Sequence, residues 1–189
     1  MLVSMNENVG PTIITDNIVL GSRDDSQNTD LLFEYGITHI LNVAAQLPNL
    51  YTQHFQYEKL NLFDNDECDV RGIMPRATSF IQSVESTNGR VLVHCISGIS
   101  RSVTVVILYL MIEHGLHLKE SYDYIQNSRP YIRPNDSFKL QMARCEVELY
   151  GTSSVAGSSS QDWNFYAWNR EKQRYKHADE FKSATCIVM

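Results

Sequence analysis

The chain has 189 residues, a net charge of -6, 43% hydrophobic and 20% charged side chains, enough for one domain with a full core plus a tail. The composition is that of a soluble globular protein, and the acidic balance argues against nucleic acid as a partner. The four cysteines, Cys68, Cys95, Cys145 and Cys186, show no framework spacing, and the N-terminus lacks a basic region followed by an apolar run, which predicts a reducing, cytoplasmic setting. No apolar run approaches the roughly 18 residues of a spanning helix, and Met1-Leu2 excludes N-myristoylation.

Residues 1–10 are polar and expected to be loose. Thr12 to Gly21 reads as a strand pair at the domain edge, and Thr29 to Tyr35 as a helix ending at Gly36. Ile37 to Ala44 suits a buried strand whose His39 is structural, and Tyr57 to Leu62 is a further strand leading into the acidic stretch Phe63 to Asp69. Gly72 to Thr87 reads as a helix with Ile73, Phe80, Ile81 and Val84 inward. Val91 to Val93 is a short buried strand, followed after a tight loop by a helix from Arg101 to His114 with Val103, Val106, Ile107, Leu110 and Met111 inward. His117 to Ser128 forms another helix that Arg129-Pro130 stops, and Asn135 caps a last one from Asp136 to Tyr150. Strands alternating with helices define an α/β domain over 11–150, with a mainly parallel central sheet flanked by helices. Ligands in such sheets sit beyond the strands' carboxyl ends, where Cys95 falls.

The loop Cys95-Ile96-Ser97-Gly98-Ile99-Ser100-Arg101-Ser102 carries the chemistry. A loop entering a helix N-terminus aims backbone N–H groups at one spot, where the helix dipole adds positive potential. The N–H groups from Ile96 to Arg101 thus form a cradle suited to phosphate. Cys95 opens it, and the same donors favour its nucleophilic thiolate. Arg101 closes it with a planar guanidinium that holds two phosphate oxygens at once. Ser102 can donate a hydrogen bond to the sulfur when the thiolate leaves. A nucleophile of this kind also needs an acid to protonate the departing oxygen and later to activate water. Asp64, Asp66, Glu67 and Asp69 are on offer, and the position just after a strand favours Asp64.

His94-Cys95-Ile96-Ser97-Gly98-Ile99-Ser100-Arg101-Ser102 resembles the His-Cys-x5-Arg-Ser signature of the dual-specificity protein phosphatases, within the cysteine-based phosphatase superfamily. The resemblance extends from about Pro11 to Tyr150, through Ile18 to Ser22, Gly36 to Ala44, Arg129-Pro130, Ile132 to Asn135 and Phe138. It implies a cysteine-phosphatase-like fold, Asp64 as general acid, His94 orienting backbone near the thiolate, and Asn135 helping to hold the shape of the loop. It also implies a reaction that requires no metal or cofactor. The short chain, with no room for a separate targeting domain ahead of the catalytic one, resembles the small atypical members that act on phosphotyrosine and on phosphoserine or phosphothreonine in proteins. The absence of Lys from the loop weakens a phosphoinositide reading.

Gly151 to Ser160 is a Gly/Ser-rich linker, so 151–189 is expected to be a flexible C-terminal tail. The tail carries Trp163, Phe165, Tyr166 and Trp168, then Arg170, Lys172, Arg174 and Lys176. It ends Cys186-Ile187-Val188-Met189, which fits a C-a-a-X box and predicts farnesylation of Cys186, with the basic and aromatic residues as a second membrane signal. Cys68 and Cys145 read as structural. The competing class is a membrane-tethered phospho-binding adaptor with little catalysis; such a protein is expected to lose Cys95 or Asp64, and both are present.

Overall fold

In the computed structural model, which describes residues 10–155, the strands are β1 (Thr12–Ile13), β2 (Ile18–Gly21), β3 (His39–Ala44), β4 (Gln56–Leu62) and β5 (Val91–His94). The helices are α1 (Arg23–Ser26), α2 (Thr29–Glu34), α3 (Met74–Glu85), α4 (Arg101–His114), α5 (Leu118–Ser128) and α6 (Asp136–Tyr150). The five strands form one sheet in the order β1-β2-β5-β3-β4. β1 pairs antiparallel with β2, and every other pairing is parallel.

Side-chain alternation along the strands builds two cores. Val91 and Val93 of β5, with Ile18, Leu20, Leu41 and Val43, face the large layer of α3 to α6. Leu92, Val19 and Ile40 face the other way, onto Leu32 of α2, Ile37 and Phe55. α4 is the hub of the large layer: every side chain from Arg101 to Met111 is buried, because sheet, α3, α5 and α6 enclose it on all sides. The sequence reading assigned it one inward stripe. A helix apolar all round is a central helix, and its Val-, Ile- and Leu-rich run carries that information directly.

The other expected elements stand within a residue or two of their places, except that α1 went unread. Its four residues are too few for periodicity, and it is fixed by a capping box between Ser22 and the buried carboxylate of Asp25. α3 buries Met74, Ala77, Ile81 and Val84, while Phe80 and Ile73 are only half-buried against the core. α2 stops where Gly36 takes φ +65°, a left-handed turn open to glycine at little cost. Residues 151–155, expected as the start of a linker, are held on the body. The carboxylate of Glu146, itself fully buried, accepts hydrogen bonds from Ser153 Oγ at 3.1 Å, Ser154 N at 2.8 Å and Ser154 Oγ at 2.6 Å, and Val155 is buried. Trp163 to Lys176 and Cys186 lie outside the described residues.

Phe138, at 0% exposure, joins α6 to the core beneath α4. Phe138→Ala is expected to lower the unfolding free energy by about 3–5 kcal/mol through lost transfer energy and a residual cavity, read as a lower urea midpoint with an unchanged slope.

Candidate active site

Because β2, β5, β3 and β4 run parallel, their carboxyl ends share one edge. The residues just beyond each end meet there: Arg23 after β2, Gln46 after β3, Asp64 after β4 and Cys95 after β5. Residues spread over about half the chain are thereby brought to one loop.

The Cys95–Arg101 loop is held from outside by its carbonyls. Ile96 O accepts from Arg23 N at 2.9 Å, Ile99 O from Arg133 N at 2.6 Å, and Ser100 O from Thr104 N at 2.8 Å and Thr104 Oγ1 at 2.9 Å. Gly98 O accepts from Arg129 Nε at 2.8 Å. With the carbonyls drawn outward, the loop's N–H groups turn toward its concave side, and the Gly98 N–H points at Cys95 Sγ at 3.3 Å. Gly98 is required twice over. Its φ is +67°, and a Cβ there would lie 2.6 Å from Arg129 Nη2 and 2.7 Å from Gly21 O.

Cys95 is buried, and Ser102 Oγ donates to its sulfur at 3.3 Å. Arg101 is 3% exposed. Its Nη1 donates to Gln46 Oε1 at 2.8 Å and Leu62 O at 3.2 Å. Its buried Nε has no hydrogen-bond acceptor among the described residues; Asp64 Oδ2 stands 3.6 Å away in an ion pair. A buried guanidinium donor without an acceptor in a cradle of N–H groups is a place for an anion. Asp64 is steered by two donors on its other oxygen, Ser100 Oγ at 2.8 Å and Asn135 Nδ2 at 2.9 Å. Of the four candidate acids, Asp64 alone places its carboxylate on the loop. Asp69 instead closes a turn through Arg71 N and Gly72 N.

The residues expected at the site, His94, Cys95, Ile96, Ser97, Gly98, Ile99, Ser100, Arg101, Ser102, Asp64 and Asn135, fall together on this edge. Asn135 caps α6 through Phe138 N at 2.8 Å, and its amide donates to Asp64 Oδ1 at 2.9 Å. Ser100 sits at the N-cap of α4 but makes no side-chain cap; its hydroxyl is spent on Asp64, leaving the helix's first N–H groups to the cradle. Gln46, Lys59 and the supporting part of Arg129 went unread, since each depends on a contact across the fold, and a lone Arg before Pro reads as a helix end. Cys68, Cys95 and Cys145 are free thiols.

A mainly parallel sheet with a cysteine, an arginine and an aspartate arranged around one anion cradle defines a cysteine-dependent phosphatase domain. The chain belongs to the dual specificity phosphatase catalytic domain family, whose model matches residues 18–148. It is similar to human dual specificity protein phosphatase 4, at 35% identity over 156 residues, covering 82% of this chain and 40% of that protein. Among solved structures it is similar to DUSP15, with a TM-score of 0.69 and 26% identity over 88% of this chain and 97% of that one. It is also similar to human tyrosine phosphatase-like serine/threonine/tyrosine-interacting protein, with a TM-score of 0.68 and 29% identity over 74% and 97%. The chain spans about two fifths of the length of the curated relatives it matches.

His94 holds the cysteine's own backbone. Its Nδ1 lies 3.4 Å from Cys95 O; a carbonyl only accepts, so Nδ1 carries the proton. Burial pushes its pKa down to about 4, outweighing the raising effect of that hydrogen bond and reinforced by the charge of Lys59. In the unfolded chain the same imidazole titrates near 6.5. Between these values the unfolded state binds a proton that the native state refuses, so stability falls as pH drops from about 6.5 to 4, and nothing is lost above that window. Between pH 7 and 4.5 the wild type is expected to lose on the order of 2 kcal/mol more than His94→Gln, measured by urea unfolding of both proteins at each pH.

Proposed function

We propose that the chain hydrolyses phosphate monoesters on tyrosine and on serine or threonine of proteins through a phosphocysteine intermediate. One observation carries the reading: Cys95, the buried Arg101 and the steered Asp64 surround one N–H-lined cradle. The Cys95 thiolate attacks phosphorus, the bond to the departing oxygen breaks, and the proton on Asp64 Oδ2 passes to that oxygen. The loop N–H groups and Arg101 stabilise the charge on the equatorial phosphoryl oxygens. In the second half, the Asp64 carboxylate takes a proton from water as that water attacks phosphorus. Inorganic phosphate departs, and Ser102 donates to the leaving thiolate.

Family membership and the lysine-free loop support phosphoproteins as the substrate class. The adaptor reading is not favoured, since the nucleophile, the anion clamp and the acid are all present around one loop. For the tail we propose farnesylation at Cys186, resting on the Cys-Ile-Val-Met ending of the sequence and its neighbouring basic residues. No helix among the described residues is long and apolar enough to cross a membrane.

Hydrolysis of a small aryl phosphate by the wild type is expected to survive EDTA and to vanish in Cys95→Ser; wild-type rates in that variant would sink the mechanism. Asp64→Asn is expected to lower kcat by about 10²–10⁴-fold. A rate equal to wild type would remove Asp64 from its role. For the tail, incorporation of a labelled farnesyl analogue in cells is expected in the wild type and not in Cys186→Ser; equal labelling of both would refute lipidation there.

A further inference from the structure

Arg101 has five N–H donors to distribute, and the fold spends one nitrogen deliberately. Nη1 is fixed by two neutral acceptors, the side-chain amide of Gln46 at 2.8 Å and the carbonyl of Leu62 at 3.2 Å, while Nε is left without an acceptor. A neutral acceptor orients a guanidinium without cancelling its charge, which a carboxylate at the same distance would do. Gln46 is itself exposed, so the placement of its amide must come from the backbone beneath it, and that backbone is heavily pinned.

Asn42, fully buried at the end of β3, donates through Nδ2 to Leu47 O at 3.1 Å, Pro48 O at 3.3 Å and Asn49 Oδ1 at 3.0 Å. Lys59 Nζ donates to the carbonyls of Ala44 and Leu47, on either side of Gln46. Ala45 N donates to Leu62 O at 3.0 Å, the carbonyl that also receives Arg101. The ammonium of Lys59 is pushed down in pKa by burial and by the charge of Arg101.

We infer that Gln46 is a positioning residue for Arg101, holding the guanidinium by Nη1 so that Nε and the remaining donors face an incoming phosphoryl dianion. The inference rests on the phosphatase reading for its kinetic consequence, but the anion affinity tests it alone. Without the Gln46 amide, Arg101 regains rotamer freedom and must be ordered by each ligand it binds.

The test is calorimetric binding of tungstate, a dianion at pH 7.5, to the full chain at that pH, alongside aryl phosphate kinetics. Gln46→Ala is expected to bind tungstate about tenfold more weakly and to lose kcat/KM by a similar factor, with a Tm close to wild type because the side chain is exposed. Gln46→Glu is expected to be weaker still, because a carboxylate beside Arg101 stays ionised and neutralises the guanidinium that the neutral amide only orients. Wild-type tungstate affinity in Gln46→Ala would overturn the inference. So would an equal loss in both variants accompanied by a lowered Tm, which marks a merely structural loop. A wild type that turns over no aryl phosphate, yet binds tungstate in a Gln46-dependent way, would sink the phosphatase reading and support the anion-positioning one.

Discussion

A loop can present its N–H groups to an anion only if something else takes its carbonyls. Here that constraint is met by five donors on four residues: Arg23 N, Arg129 Nε, Arg133 N, and Thr104 N and Oγ1. Each is placed by an element with its own reason to exist. α1 begins at Arg23 behind a capping box, α4 supplies Thr104 from its first turn, and Arg129 and Arg133 flank Pro130 between α5 and α6. An inverted peptide in the loop would turn one donor into an acceptor, which repels phosphate. The conformation of the loop is therefore a property of the whole domain, and Gly98, with its positive φ and a backbone neighbour at 2.7 Å, is the position where no other residue fits.

Charge is arranged around that loop with similar economy. Arg101 and Asp64 meet through Nε and Oδ2 at 3.6 Å, near enough to compensate one another in the empty site and too far for a hydrogen bond that a ligand would have to break. Neutral groups do the orienting: Ser100 and Asn135 on the acid, Gln46 and the Leu62 carbonyl on the cation. His94, buried and kept neutral, ties down the Cys95 carbonyl without adding a charge beneath the sulfur. The two groups that exchange charge with a substrate are thus held by groups that do not.

Much of this was legible in the sequence because local rules and fold agree. The apolar strand, the small-residue loop and the long apolar helix specify β5, the cradle and α4 within a stretch of consecutive residues, and Asp64 is marked by following a strand. Other features were not legible, for a common reason. The partners of Asn135, Gln46 and Arg129 are set by sheet order, which brings the ends of β3, β4 and β5 together, and single-sequence periodicity does not report which strand lies beside which. α1 was missed because a single turn has no period, and the stripe assigned to α4 understated its burial because amphipathic patterns describe helices with one wet face.

Arg129 also reaches the beginning of the described chain: its Nη1 donates to Gly10 O at 3.1 Å and Thr12 Oγ1 at 2.9 Å. At the other end, Glu146 secures Ser153 and Ser154. The family model spans residues 18 to 148, yet the hydrogen bonds that close the fold run past both limits. A protein trimmed to the borders of that model would keep Cys95, Arg101 and Asp64 while leaving the arginine that supports Gly98 with one of its three acceptors, and a buried carboxylate facing no serine.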